Sequence, residues 1–191
     1  KPRPASRDWT RSLGVGCREG GRPWYAARLG PGRLSWPPSF SSAALKIAAR
    51  DEHIGWSVGS RKRNRDRVIM QSRFCLAVDV RNLASRVHAL LLSRIAEDWQ
   101  AVYGKKPVLA ESFVDTARFS GTCYRAANWV CVGKTSGRGR QDREHAAKAS
   151  IKSVWLYPLA QNWREILCIE PVRTLDPDAD WAHNEWGNAD L

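Results

Sequence analysis

Residues 82–104, Asn-Leu-Ala-Ser-Arg-Val-His-Ala-Leu-Leu-Leu-Ser-Arg-Ile-Ala-Glu-Asp-Trp-Gln-Ala-Val-Tyr-Gly, are the stretch that decides the fold class. Apolar side chains recur three to five positions apart between Val87 and Val102, which predicts one amphipathic helix of about 20 residues. Asn82 is a favourable N-cap, and Gly104 is a favourable stop. The following residues 107–114, Pro-Val-Leu-Ala-Glu-Ser-Phe-Val, are bounded by turn signals and predict a strand.

Strands and helices alternate on both sides of this helix–strand unit. We predict further strands at residues 34–36, 43–48, 50–57, 74–78, 130–132 and 153–157. We predict further helices at residues 60–70, 121–129 and 161–168. This order predicts an α/β or α+β fold, in which a mixed central sheet is flanked by helices.

The length and composition exclude several classes of protein. The chain has 191 residues, a formal net charge of +12 and 43% hydrophobic residues. The length fits one main domain, and the apolar content is too high for a wholly disordered chain. No run approaches the roughly 18 apolar residues of a membrane span, so no membrane partner is expected.

The charge is divided unevenly along the chain. Residues 41–168 carry 22 Lys and Arg against 11 Asp and Glu, whereas residues 169–191 carry one against six. Residues 1–35 are interrupted throughout by Gly and Pro. We therefore expect a flexible leader at 1–35, a basic domain at 36–168, and at 169–191 either an acidic tail or the start of another domain.

The cysteines and histidines predict neither disulfides nor a metal site. No C-x-x-C pair is present, and the four histidines form no ligand pattern. A reducing cytoplasm suits such a chain, and no cofactor is predicted. The cysteines are Cys17, Cys75, Cys123, Cys131 and Cys168.

A glycine-rich basic loop is predicted at residues 133–143. Gly137 and Gly139 permit close backbone approach, and exposed backbone N–H groups together with arginine side chains suit a phosphate. The spacing is not that of a Walker loop. The alternative is a solvated surface loop. The cations of the loop are Lys134, Arg138, Arg140 and Arg143.

The predicted helix at residues 60–70 is a second basic patch. Its cations would neutralise nucleic-acid phosphates and make binding salt-dependent, although a merely solvated helix face is the alternative. The cations are Arg61, Lys62, Arg63, Arg65 and Arg67.

Glu111 and Tyr124 are the candidate catalytic residues. Glu111 stands in an apolar strand, so its carboxylate either faces solvent or is buried with a raised pKa, as a general base requires. No Ser-His-Asp, Cys-His or paired-carboxylate arrangement accompanies these residues.

Several motifs together resemble one family. They are Ala-Arg-Asp-Glu-His-Ile-Gly-Trp-Ser at 49–57, Ser-Arg-Phe at 72–74, Asn-Leu-Ala-Ser-Arg at 82–86, Asp-Trp-Gln-Ala-Val-Tyr-Gly at 98–104, Glu-Ser-Phe-Val-Asp at 111–115, Gly-Thr-Cys-Tyr-Arg-Ala-Ala-Asn-Trp at 121–129 and Gly-Lys-Thr-Ser-Gly-Arg-Gly-Arg at 133–140. Over residues 34–168 the chain resembles the DruA family of the Druantia antiphage system, many members of which lie in or near transposases. The segment between residues 74 and 82 is shorter than is usual in that family.

The order of elements is also similar to that of GCN5-related N-acetyltransferases. That resemblance places Arg81, Ala84 and Ser85 where those enzymes bind the pyrophosphate of CoA at a helix N-terminus. It places Tyr124 where they often have a general acid. The glycines of the corresponding turn are missing here.

The acidic end carries a third resemblance. Residues 180–191, Asp-Trp-Ala-His-Asn-Glu-Trp-Gly-Asn-Ala-Asp-Leu, are similar to the opening of the end-binding domain of insertion-sequence DDE transposases. The resemblance implies that residues 169–191 hold a linker and the truncated start of such a domain.

These features lead to several functional hypotheses. The first is a DNA-associated accessory domain of a transposase, a mobile element or an antiphage protein, which binds nucleic-acid backbone through the two basic patches. The alternatives are an acyltransferase-like enzyme using CoA or a nucleotide, an antiphage component acting through protein partners such as Druantia-type proteins, and a fragment without activity.

Overall fold

Strands and helices alternate along the chain. The computed structural model describes residues 38–76, 81–137 and 150–170, together with the backbone of two earlier strands, β1 (Leu13–Cys17) and β2 (Pro23–Ala27). The later elements are β3 (Ser39–Ser42), α1 (Ala48–Ile54), α2 (Val58–Asn64), a 3-10 turn (Arg65–Arg67), β4 (Val68–Arg73), α3 (Leu83–Leu92), α4 (Ile95–Tyr103), β5 (Leu109–Asp115), α5 (Thr122–Ala126), β6 (Val130–Lys134), β7 (Lys152–Pro158) and α6 (Trp163–Cys168).

The strands form one mixed sheet with the order β1-β2-β3-β4-β5-β7-β6. Only β4 and β5 pair in parallel among the strands described, from Val68 opposite Leu109 to Gln71 opposite Ser112. Their connection runs through α3 and α4, as a parallel pair requires. The remaining pairs are antiparallel. The predicted class, a mixed sheet flanked by helices, is confirmed.

The two faces of the sheet are covered by different sets of helices. One face packs against α3, α4 and α5, with Leu91 and Trp99 among its buried residues. The other face packs against α1 and α6, with Ile54 and Leu167 buried, and α2 contacts α6. We call these the α3–α5 layer and the α1–α2–α6 layer. Because side chains alternate along a strand, neighbouring residues of β5 point into different layers.

The strands predicted at 43–48 and 50–57 are wrong, because α1 occupies much of this segment. Arg50 and Ile54 lie four residues apart and are both buried, which is helical spacing. The helix begins where the Asp51 carboxylate accepts from the Ile47 N–H at 3.3 Å, and it ends at Gly55, whose φ is 80°. Apolar and β-branched residues in a short segment make it resemble strands. The strand predicted at 34–36 lies outside the described residues.

The predicted long helix at 82–104 is two helices, α3 and α4, which meet at Ser93 and Arg94. The Ser93 hydroxyl donates to the Leu90 carbonyl at 3.0 Å, and the Arg94 N–H bonds the Leu91 carbonyl, which is a tighter 3-10 closure. A new helix then begins, and the Arg94 guanidinium pairs with Asp98. The apolar periodicity continues across the break, so periodicity alone does not detect it.

The helix predicted at 60–70 ends earlier, at Asn64, and residues 68–73 form β4. Val68 and Ile69 are buried in the sheet, which outweighs the helical preference of their polar neighbours. The strand predicted at 74–78 is wrong for its described part, because residues 74–76 lie beyond the end of β4.

The strands and helices predicted between residues 107 and 168 are confirmed. The strands at 107–114, 130–132 and 153–157 correspond to β5, β6 and β7, and the helices at 121–129 and 161–168 correspond to α5 and α6. In residues 1–35, for which the sequence predicts no regular structure, β1 and β2 pair as antiparallel strands. None of the helices in the described part of the chain is long and apolar enough to cross a membrane.

Candidate functional site

The basic helix α2 is held to the domain by its polar buried face. The Ser57 hydroxyl caps it by accepting from the Ser60 N–H at 3.0 Å. The Asn64 amide donates to the carbonyls of Leu167 and Ile169 at 3.1 and 3.0 Å. These contacts satisfy carbonyl groups at the end of α6, so α2 and α6 are locked together.

The predicted cations of this region have different surroundings. Lys62 and Arg63 are exposed, and the structure records no ion pair for them among the residues it describes. Arg61 is mostly buried and pairs with Asp51 at 3.1 Å. Arg65 and Arg67 are half-buried on the 3-10 turn. Two of the five cations are therefore fully available to a partner.

The glycine-rich loop begins beside α1. A Cβ on Gly133 would lie 2.8 Å from the Cβ of Ala49, so only glycine allows β6 to approach this helix so closely. Lys134 follows at the end of β6 and is exposed. Helix α1 therefore contacts both predicted patches, through Ala49 and through Asp51 with Arg61. The remaining cations of the loop, Arg138, Arg140 and Arg143, lie outside the described residues.

Arg164 is a cation of this layer that the sequence reasoning missed. Its guanidinium lies 4.7 Å from the centroid of the Trp163 ring and donates to the His53 carbonyl at 3.1 Å. The rings of His53 and Trp163 are nearly parallel, with centroids 6.0 Å apart. Arg164 stands outside both basic runs, so only the packing of α6 against α1 and α2 places it near them. We use the name basic surface for Lys62, Arg63 and Arg164.

Glu111 is buried, which settles the two alternatives left open for its carboxylate. It accepts from the Arg50 guanidinium at 2.9 Å and from the Ala44 N–H at 2.8 Å. Burial raises the pKa of Glu111, and the charge of Arg50 and the hydrogen bond from Ala44 oppose that rise. Both carboxylate oxygens are engaged by the protein itself.

Asp51 extends this ion pair toward the surface. Its carboxylate pairs with Arg50 at 2.8 Å and accepts from the Trp56 indole N–H at 3.1 Å. Its other oxygen pairs with Arg61 on α2. The four charged residues thus tie β5, α1 and α2 together. Sequence reasoning missed Arg50, because a buried arginine is rare and the local pattern predicts a strand there.

Tyr124 lies on the opposite face of the sheet. Its hydroxyl accepts from the Ser112 hydroxyl at 2.9 Å, and burial raises the pKa of Tyr124 to about 12. Helix α5 reaches this position because Gly121, with φ 73°, packs on the Trp155 ring, where a Cβ would come within 2.4 Å. Glu111 and Tyr124 therefore lie in different layers and do not form one catalytic pair.

His88 and Gln71 are polar residues beside Tyr124 that the sequence reasoning did not single out. The His88 ring lies 4.8 Å from the Tyr124 ring and 5.7 Å from Trp129, between centroids. Burial lowers the pKa of His88 to about 4, so its imidazole is neutral at pH 7. Gln71 is the register partner of Ser112 and shares its face of the sheet. Both occur in apolar strand or helix patterns, which by themselves indicate packing.

The candidate cofactor residues lie at the start of α3. Arg81 is exposed, Ala84 is half-buried, and the Ser85 hydroxyl donates to the Asn82 carbonyl at 3.1 Å. The Ser85 hydroxyl is thus used within its own helix. Among residues 38–76, 81–137 and 150–170, no group of three or more His, Cys, Asp or Glu residues is placed to hold a metal ion.

Comparison with known proteins identifies one family. The family model described as Druantia protein DruA matches residues 38–153, which contain every element from β3 to β6 and the start of β7. No curated protein and no solved structure matches the chain. The matched range includes the Arg50–Glu111 pair, α2 and the residues around Tyr124. Residues 180–191, which resemble the start of a transposase domain, lie outside the match and outside the described residues.

Proposed function

The chain belongs to the DruA family, and from this premise we propose that it is a component of an antiphage system that binds nucleic-acid backbone on its basic surface. Lys62 and Arg63 are the observation that carries the proposal. Ser60 and Asn64 fix the opposite side of α2, while these two cations face solvent with no ion pair recorded in the described part of the chain. Such cations are available to neutralise phosphates.

The distribution of charge in the domain adds to this argument. Arg61 forms an ion pair with Asp51, and the Lys105 ammonium forms one with Asp66. Not every cation near α2 is therefore available to bind a phosphate. Arg164 on α6 extends the surface along the α1–α2–α6 layer. Contacts of this kind position a nucleic acid without reading its sequence. We therefore expect binding that is strong at low salt and indifferent to base sequence.

The test is binding of a fluorescein-labelled duplex, followed by anisotropy at several salt concentrations. The double variant K62A/R63A should reduce the slope of log Kd against log salt by about 2, since each lost phosphate contact accounts for roughly 0.9. R86A/R125A removes the same charge from exposed positions of α3 and α5, and should change the slope by less than half as much. Equal effects of the two double variants, or no salt dependence in the native protein, would refute the proposal.

We also propose a more specific role, which is association with a transposase. It is supported by the similarity of residues 180–191 to the opening of a transposase end-binding domain. Its test is to read the coding sequence beyond the codon for Leu191. A DDE catalytic core in the same frame supports the association, and an unrelated reading frame contradicts it.

Action through protein partners is a second candidate function, and membership of the DruA family is the observation that favours it. The test is co-expression with the proteins encoded beside this gene, followed by size-exclusion chromatography with light scattering. A stoichiometric complex that survives at high salt supports it; separate elution of all components contradicts it.

A further inference from the structure

Five buried nitrogen and oxygen atoms on one side of the sheet have no hydrogen-bond partner in the part of the chain that the structure describes. They are both amide atoms of Gln71, both ring nitrogens of His88 and the indole nitrogen of Trp129. The three residues are 4%, 0% and 3% exposed. Buried polar atoms in folded proteins are nearly always paired, so a concentration of unpaired ones requires an explanation.

These three residues lie around one group of aromatic rings. The His88 ring has its centroid 4.2 Å from Phe74 and 5.7 Å from Trp129. Tyr124 touches all three of these rings, at 6.3 Å from Phe74, 4.8 Å from His88 and 5.3 Å from Trp129. Gln71 points to the same side, because it is the register partner of Ser112, whose hydroxyl donates to Tyr124. We use the name aromatic-polar cluster for Gln71, Phe74, His88, Tyr124 and Trp129.

The unpaired atoms of the cluster include both donors and acceptors. The Gln71 amide offers two N–H groups and one oxygen, and the Trp129 indole offers one N–H. The His88 imidazole is neutral, so it offers one of each. No ion pair of the described residues involves a member of the cluster. A ligand that satisfies these atoms is therefore an uncharged group with several hydrogen-bond donors and acceptors.

The aromatic rings restrict the shape of that group. Stacked and edge-on rings favour a flat partner. A Gln amide forms paired hydrogen bonds with the edge of a base, and aromatic side chains stack on base faces. Phe74 is half-buried, lies just beyond the end of β4, and covers the face of His88. It is the ring that a flat ligand would displace in order to stack on His88.

We propose that the aromatic-polar cluster binds a nucleobase, which pairs with the amide of Gln71, the imidazole of His88 and the indole N–H of Trp129. The base of a free nucleoside and an unpaired base of a nucleic-acid strand share this chemistry. The cluster lies in the α3–α5 layer, on the other side of the sheet from the basic surface. The proposal therefore goes beyond backbone binding and does not depend on it.

The test is a thermal unfolding series with adenosine, guanosine, cytidine and thymidine as probes. At ten times its Kd, a bound nucleoside should raise Tm by about 3–6 °C. The variants Q71M and H88L keep the side-chain volume but remove the polar atoms, and each should reduce this shift at least threefold. Q100M makes the same change at an exposed position of α4 and should leave the shift unchanged.

Two further arms identify the source of the base. A single-stranded oligonucleotide and an abasic strand of equal length should both bind the basic surface, but only the first should give a Tm shift that Q71M reduces. Nucleosides carry no phosphate, so K62A/R63A should leave their shift intact. This arm distinguishes failure of base binding from failure of backbone binding.

The proposal can be overturned with the native protein alone, so the result does not depend on whether any variant folds. If none of the four nucleosides raises Tm of the native chain, or gives saturation-transfer NMR signals with it, base binding is excluded. A nucleoside shift that persists in both Q71M and H88L also overturns it. A destabilised Q71M without any nucleoside effect would instead assign buried water to the cluster.

Discussion

The guanidinium of Arg50 donates to the carboxylate of Glu111 at 2.9 Å, and neither side chain is exposed to solvent. The two residues are 61 positions apart, one on α1 and the other on β5. Arg50 also donates to the Ala44 carbonyl at 2.9 Å, and Glu111 accepts from the Ala44 N–H. The ion pair therefore fixes both the helix and the segment that leads from β3 into it.

Removal of one partner from this pair should be severely destabilising. E111A leaves Arg50 buried with Asp51 as its remaining carboxylate partner and takes the acceptor from the Ala44 N–H, so we expect a loss of about 3–5 kcal/mol in the free energy of unfolding. Urea denaturation followed by tryptophan fluorescence measures it. The control is E97A, which breaks the exposed pair with Lys106 and should cost less than about 1 kcal/mol. Similar losses in both variants would show that the Arg50–Glu111 pair is not structural.

The neutral His88 should make stability depend on pH. Its pKa is about 4 in the folded chain against an ordinary value of 6.5, so the unfolded chain binds more protons between these values. The stabilising contribution is complete above pH 6.5 and is lost as pH falls toward 4, by about 3 kcal/mol in total. Urea midpoints measured across this interval should show the loss. The slope should be shallower in H88L, and parallel profiles for the two proteins would contradict the assignment.

Gly121 should tolerate no side chain. A Cβ there meets the Trp155 ring at 2.4 Å, and φ is 73°. The close contact and the unfavourable backbone together should make G121A less stable by about 2–5 kcal/mol. Gly104 has the same φ but nothing within 4 Å of a Cβ, so G104A isolates the backbone part and should cost about 1 kcal/mol. Thermal unfolding of the two variants gives the comparison, and equal Tm values would rule out the collision.

Asn64 should stabilise the contact between α2 and α6. N64A removes two hydrogen bonds to the carbonyls of Leu167 and Ile169, at a cost of about 1–3 kcal/mol. Asn162 is exposed and makes no capping hydrogen bond at the start of α6, so N162A should lie within about 0.5 kcal/mol of the native chain. Chemical denaturation measures both. A larger loss in N162A than in N64A would contradict this role.

The predictable parts of the fold are those in which local pattern and burial agree. Residues 107–114 and 153–157 are apolar runs bounded by turn signals, and they form the neighbouring strands β5 and β7. The prediction for residues 43–57 is wrong because the buried Arg50 pairs with Glu111, a residue 61 positions away that the local pattern does not contain. The break between α3 and α4 escapes prediction because the apolar period continues across Ser93.

The residues of the candidate sites also fall into two groups, those that the sequence indicates and those that only the structure reveals. The cations of α2 and the carboxylate of Glu111 could be singled out from residue type and neighbours. Arg164, His88 and Gln71 could not, because each becomes notable only through a residue from a distant part of the chain. The different availability of Arg61 and Lys62 also depends on Asp51, ten positions before Arg61 and on another helix.

The sequence by itself determined the class of the fold, the family and the basic character of the domain, since these follow from periodicity, motif order and composition. Only the tertiary structure decided which charges remain available, which are paired inside the protein, and that Glu111 and Tyr124 lie on opposite faces of the sheet. The physical reason is the alternation of side chains along β5. Glu111 and Ser112 are adjacent in sequence, but one enters an ion pair beneath α1 and the other bonds Tyr124 of α5.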